Sequence, residues 1–335
     1  MRRAVAAAIA LSLLVACSGD DDDDVAVSTT TTTSTSTSST TTTSTTAPST
    51  TSTTAPRLPF VDDDSADVLA TPKGFVLPIT GGGPGAWQVM TPCGKTGTVA
   101  GGDPIGGATV VLDPGHGGVE TGTTGPGGTV ERDLNMAIAQ RTKAALEREG
   151  AKVVLTRTGD YRIAITTRAE IALRLQPPVF ISIHHNGGHD EERDTPGTEV
   201  FFQVRNPASK RLAGILYEEL YAFFSAFDGV TWWADRDAGA KYRTNDSGGD
   251  YYGILRRTEG VTAVLSEAAF LNNGAEEALL VREDVQQGEA EAITRAVRRF
   301  MLGDDEGSGF TEPYARVEPA GPGGGSSGCV DPPLE

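Results

Sequence analysis

The sequence predicts a three-layer α/β domain with a mixed, mainly parallel sheet flanked by helices, preceded by a small β-rich segment. Two observations carry this reading. From Ala108 onward, short apolar runs alternate with stretches of helical periodicity, the pattern of strands joined by crossover helices. Before that point, residues 58–107 hold only short apolar pieces among glycines and prolines.

Taken in order, Gly74–Ile79 and Ala86–Met90 read as short strands around the Gly81–Gly85 turn. A small subdomain and an arm laid on the main domain both fit this segment. Val110–Asp113 is the first strand of the main domain. Glu131–Glu147 is a helix, with Leu134, Ala137, Ile138, Ala145 and Leu146 on one stripe. Lys152–Thr156 is a strand, and Ile165–Leu175 is a helix stopped by Gln176-Pro177-Pro178. Val179–Ile183 and Glu199–Val204 are strands, and Ala208–Phe227 is an amphipathic helix. Ala234–Asp250 lacks periodicity and reads as a long loop beside the site. Val261–Leu265 is a strand, Asp284–Leu302 is the closing helix, and residues 304–335 form an extended Gly/Pro-rich tail. About 200 residues suffice for one well-buried core.

Ahead of this domain, Met1-Arg2-Arg3 and the apolar run to Ala16 read as an export leader spanning residues 1–17, with an apolar run shorter than a membrane span. Leu14-Val15-Ala16-Cys17 resembles a bacterial lipobox, which implies cleavage before Cys17 and a lipid anchor on it. A plain secretory leader is the alternative. Residues 18–57, an Asp run followed by a Ser/Thr tract, lack the apolar residues to build a core and read as a disordered stalk. Localisation would be extracytoplasmic, on a membrane facing the cell wall. With Cys17 assigned to lipid, Cys93 and Cys329 remain as an even pair in an oxidising compartment. A disulfide between them is expected, two free thiols being the alternative.

The net charge is −17, from 28 Lys plus Arg against 45 Asp plus Glu, and no basic patch tracks along the chain. That excludes nucleic acid as the expected partner.

The chemistry is carried by histidine. The chain has four, and three of them, His184, His185 and His189, fall in one stretch. His116 and His184 each follow an apolar strand, so both can meet at the carboxyl edge of one sheet, where α/β folds place their sites. Two imidazoles and a carboxylate form a zinc-ligand set. Glu131 is the candidate carboxylate, because the glycines of 122–128 let the start of its helix fold back beside His116. It reads equally well as a first-turn acid favouring the helix N-terminus. Glu267 follows the apolar strand Val261–Leu265, and a carboxylate there either serves the site or pairs with an arginine. Strand alternation points His184 and His185 to opposite faces, so one of them faces the metal. His189, in a polar loop, reads as a surface residue.

Four segments in order resemble the zinc-dependent N-acetylmuramoyl-L-alanine amidases of the amidase-3 family. These are Val111–Gly118, Glu131–Asn135, Ser182–Asn186 and Leu265–Asn273, with Leu155-Thr156-Arg157 and Thr167-Arg168 similar as well. The resemblance covers roughly residues 108–302, within a catalytic domain bounded at 108–303. It implies Zn2+ on His116, Glu131 and His184, with Glu267 as the catalytic carboxylate and Asp113 and Asn186 orienting the ligands from behind. The implied reaction is hydrolysis of the amide between N-acetylmuramic acid and L-alanine in peptidoglycan. One departure is His185, where the family commonly has a small residue. Any activator protein stays unidentified. Two other readings remain: a non-catalytic peptidoglycan-binding or regulatory lipoprotein on the same fold, and a zinc peptidase acting on the stem peptide.

Overall fold

The computed structural model describes residues 57–187, 197–227, 238–311 and 325–335, all within one compact unit, Thr54–Glu335. The leader, Cys17, the Ser/Thr tract, His189 and the first residues of the 234–250 loop lie outside the described residues.

Six strands form the central sheet, in the order β10-β9-β11-β8-β6-β7. They are β6 (Val110–Pro114), β7 (Val153–Leu155), β8 (Val179–Asn186), β9 (Glu199–Phe202), β10 (Gly239–Lys241) and β11 (Ala263–Phe270). β7, β6, β8 and β11 run parallel, β9 is antiparallel to β11, and β10 is parallel to β9. β6 is buried along its whole length, as its continuous Val-Val-Leu run requires of a strand covered on both faces.

Two helical layers cover the sheet. On one face, α1 (Glu131–Arg148), α3 (Pro207–Phe224) and α6 (Glu283–Leu302) bury Leu134, Ile138, Leu212, Leu216, Val285 and Ile293 against it. On the other, α2 (Ile165–Leu175) and the short α4 (Gly253–Arg257) contribute Ile171, Ala172, Ile254 and Leu255. A further short helix, α5 (Gly274–Leu280), precedes α6. Local signals set several ends. Asn206 accepts from the backbone N–H groups of Ala208 and Ser209, and Pro207 opens α3. α2 ends at Gln176 in the left-handed region (φ 42°), just before the two prolines.

Residues 58–107 form a separate antiparallel sheet of order β4-β3-β2-β1-β5. Its strands are β1 (Asp63–Ala70), β2 (Val76–Gly83), β3 (Ala86–Met90), β4 (Thr96–Val99) and β5 (Asp103–Gly106). One side buries Leu69, Leu77, Trp87 and Val89 together. The other sends Val68 and Val76 into the core they share with α2. The segment is thus both a sheet and a layer laid on the main domain.

Some expectations need correction. Glu267 does not follow its strand: β11 runs on to Phe270, and Glu267 lies inside it. β8 likewise extends through His184 to Asn186. The 234–250 stretch contains β10, and α3 stops at Phe224 rather than Phe227. β1, β4 and β5 were not read as strands because their apolar runs are short and their exposed faces carry Asp, Thr and Gly.

Cys93 and Cys329 form a disulfide with an S–S distance of 1.99 Å. The tail segment 325–335 follows the first sheet without helix or strand. Asp331 accepts from the Cys93 backbone N–H at 2.8 Å, and Arg162 donates to the carbonyls of Gly325 and Ser327.

Candidate metal centre

Three elements bring the site together at the carboxyl edge of the central sheet. β6 delivers His116 just past its end, β8 carries His184, and α1 begins with Glu131. The loop after β6 turns sharply. His116 itself has φ +61°, a left-handed conformation that L residues seldom adopt and that functional sites tolerate when packing enforces it. Gly115 must be a glycine, because a Cβ there would lie 2.2 Å from His184 Cε1.

The loop from Gly122 to Gly128 folds back to bring the start of α1 beside His116. The Glu131 N–H donates to the Thr123 carbonyl at 3.0 Å. Glu277 of α5 clamps the turn, accepting from the backbone N–H groups of Gly127 (2.6 Å) and Thr129 (2.9 Å). Burial pushes the Glu277 carboxyl up, but those two donors outweigh it and hold it below the usual range.

Glu131 Oε1 lies 3.1 Å from His116 Nε2 and 3.0 Å from His184 Nδ1. The two imidazoles stand edge to face, with ring centres 4.8 Å apart. One ligand atom from each of His116, Glu131 and His184 lies within 4.8 Å of the others. Glu131 is 3% exposed, so it is not a solvated first-turn acid. Burial pushes its carboxyl up, yet the hydrogen bonds and charge of His116 and His184 outweigh that and hold it well below the carboxylate range. Burial lowers the His184 imidazole. Two imidazoles around one buried carboxylate are the donor set a borderline divalent cation takes, so the set fits zinc.

His116 and His184 open onto a cleft of about 470 Å³, walled by Ile163, Ile165, Tyr252 and Leu265, with Glu131 buried behind them. Glu267 pairs in register with His184 on the neighbouring strand, and paired residues share a sheet face. On its other side Glu267 pairs with Glu199, whose carboxylate meets Lys241 Nζ at 2.6 Å.

Asp113 and Asn186, expected to orient the ligands from behind, make the following hydrogen bonds. Asp113 is wholly taken up by Thr156 Oγ1 (2.5 Å), Ser182 Oγ (2.7 Å) and Arg168 Nη1 (2.7 Å). It reaches His116 only through Arg168, which also donates to the His116 carbonyl. Asn186 donates to Glu199 and accepts from the Gly187 N–H. Glu131 is held by the Thr123 N–H at Oε2 (2.8 Å) and by Asn135 Nδ2 at Oε1 (3.2 Å). Asn135 was legible, being one helical turn after Glu131. His185 faces away from the cleft, as strand alternation requires, and meets Asn135 and Glu289. Glu289 also left a trace, an acid four residues after Val285 and four before Ile293 on the apolar stripe of α6.

The model of the Amidase_3 family, N-acetylmuramoyl-L-alanine amidase, matches residues 110–299. The chain belongs to this family. Among its relatives, the uncharacterized protein YqiI of Bacillus subtilis is 31% identical over 220 residues, covering 64% of this chain and 97% of that protein. The amidase AmiA of Escherichia coli is 38% identical over 109 residues, 32% of this chain and 37% of AmiA. LytC of B. subtilis is 30% identical over 193 residues, 57% of this chain and 35% of LytC. The chain thus spans little more than a third of those two amidases. An N-acetylmuramoyl-L-alanine amidase from Clostridium difficile 630 superposes with a TM-score of 0.51 at 26% identity, covering 59% of this chain and 99% of that one. The member of the amidase family described here carries that fold with the added antiparallel sheet at its N-terminal side.

Proposed function

We propose that this chain hydrolyses the amide between N-acetylmuramic acid and L-alanine in peptidoglycan, with a zinc ion held by His116, Glu131 and His184. The observation that supports this best is the His–Glu–His set around the buried Glu131, with Glu267 in register beside His184. Lewis-acid polarisation of the scissile carbonyl and activation of water are what zinc supplies when bound by three protein ligands. The Glu267 carboxylate takes a proton from the attacking water and delivers it to the departing alanine nitrogen as the C–N bond breaks. Glu267 is suited to both transfers by its place on a rigid strand rather than a loop. The left-handed turn at His116 and the clamp at Glu277 hold the ligands in place before substrate arrives, which lowers the ordering cost of reaching the reactive geometry.

The same reading covers the rest of the chain. Residues 1–17 act as a leader ending in a lipidated Cys17, 18–57 as a stalk, and 108–303 as the catalytic domain, so the enzyme works outside the cytoplasm from a membrane anchor.

Digestion of purified peptidoglycan by the chain, with mass spectrometry of the fragments, tests this. Peptides with a free N-terminal alanine and peptide-free glycan are expected, and both should disappear with a chelator. Glu267→Gln should lower the rate at least about 100-fold, at the low end of what a positioned acid–base group contributes, while zinc content stays at that of the unaltered chain. Cut peptides still attached to glycan would make it a stem-peptide peptidase. Zinc-loaded protein that binds the wall without cutting it would make it a binding module.

A further inference from the structure

Behind the metal centre lies a polar chain that the proposed chemistry does not use. His185 and Glu289 have no exposed side-chain surface, and His185 Nε2 lies 3.2 Å from Glu289 Oε2. The other ring nitrogen, Nδ1, lies 2.8 Å from Asn135 Oδ1. Asn135 Nδ2 in turn lies 3.2 Å from Glu131 Oε1. The His185 backbone N–H also points at that oxygen, at 3.3 Å.

Hydrogen-bond logic orders this chain. A carboxylate acting as a metal ligand only accepts, so Asn135 must present its NH2 group to Glu131. Its carbonyl then faces His185, which must donate from Nδ1. Nε2 then faces Glu289 with a proton between them, whichever atom holds it. An asparagine amide has two orientations of similar shape, and the wrong one would set oxygen against the Glu131 oxygen. The Gly115 carbonyl accepts weakly from the same Nδ2 at 3.4 Å, and His185 and Glu289, on the oxygen side, remove the remaining choice. Burying a histidine and a glutamate away from water is costly, and apolar side chains of similar volume would pack between α1, β8 and α6 at less cost. The pair is therefore well placed to serve a purpose other than stability.

We propose that His185 and Glu289 are positioning residues for the metal centre: through Asn135 they lock the orientation in which Glu131 is presented to the ion. The inference rests on the zinc reading above.

The test uses zinc alone. The metal-free chain is titrated against a chromogenic chelator, and its melting temperature is measured in the same buffer. The double substitution His185→Phe with Glu289→Leu replaces the pair by apolar side chains, so the metal-free fold should melt close to the unaltered chain. Its zinc affinity should fall about 10–100-fold, the usual effect of losing a partner that orients a ligand. Glu289→Gln, whose amide still donates to Nε2, should bind zinc like the unaltered chain. The visible spectrum of the cobalt-loaded double variant should shift, because the ligand carboxylate is no longer held. If the double variant binds zinc as tightly as the unaltered chain, with the same cobalt spectrum, the pair is structural only and the proposal is wrong. If the unaltered chain does not bind zinc, or Glu131→Ala leaves its affinity unchanged, the metal site itself fails, and this inference with it. Should the double variant fail to fold, each single substitution is read in the same two assays with the same expectations.

Discussion

At Gly122 the backbone has φ +70°, and an added Cβ would sit 2.3 Å from Glu131 Oε2 and 2.6 Å from His116 Cδ2. Glu131 has little room to give way, being buried and held by the Thr123 N–H and Asn135. Gly122→Ala should therefore weaken zinc binding by an order of magnitude or more while altering no donor atom. A chelator titration of the metal-free variant reads this directly, and retention of full affinity would mean that the loop relaxes freely. The sequence marks 115–128 as glycine-rich but does not distinguish Gly122 from its neighbours. The requirement arises from a side chain nine positions away, and only the folded loop brings the two together. The histidines and Glu131 were legible because strand ends and helix starts converge in this fold class. The left-handed backbone at His116 carries no signature in composition or spacing.

Asp113 ties four elements together. It stands on β6 and accepts from Thr156 after β7, Arg168 on α2 and Ser182 on β8. Burial pushes its carboxyl up, but Arg168 and these hydrogen bonds outweigh that and hold it below the usual carboxylate range. Because the folded state lowers this pKa, Asp113 contributes stability above the unfolded carboxylate value of about 3.9, and the contribution is lost as pH falls through the folded value. Asp113→Asn should thus cost about 3–5 kcal/mol at neutral pH, as when one partner of a buried ion pair is removed. It should also flatten the fall of melting temperature below about pH 4. A melting series in acid compares the two slopes, and parallel curves would remove Asp113 from the account. At this scale the alternation of strands and helices was legible from apolar periodicity, including α2 from Ile165 to Leu175. What escaped included elements shorter than a period can reveal, such as the three residues of β10 and the five of α4, and the longer β1, whose first half is exposed and acidic. Glu267 was misjudged for a related reason: polar residues in β11 read as its end, whereas the pairing with His184 and Glu199 carries the strand on past them.

Across the whole molecule, the N-terminal sheet and the tail are joined to the catalytic domain by packing and by one covalent link. Val68 and Val76 share a core with α2, and Cys93 is bonded to Cys329, 236 positions later. The even pair of cysteines was legible by counting. That the sheet docks on α2 was not, because a strand pattern does not say what its second face will meet. Closing so long a loop constrains the unfolded chain, and loss of a native disulfide typically costs about 2–5 kcal/mol. The paired replacement Cys93→Ser with Cys329→Ser should lower the melting temperature by several degrees. It should leave zinc affinity unchanged, since neither cysteine touches the cleft. A fall in zinc affinity would mean that the tail supports the site through Arg162, which pairs with Glu120 at the rim of the cleft.

That same bond makes a closed ring of the chain from Cys93 to Cys329, and the entire amidase domain lies within it. A protease that severs one peptide bond inside the ring releases nothing, because both halves stay fastened to each other through sulfur. Two separate cuts are needed before a piece can leave. For an enzyme proposed to work outside the cytoplasm, beyond the reach of resynthesis, that is a form of endurance independent of how firmly the domain is folded.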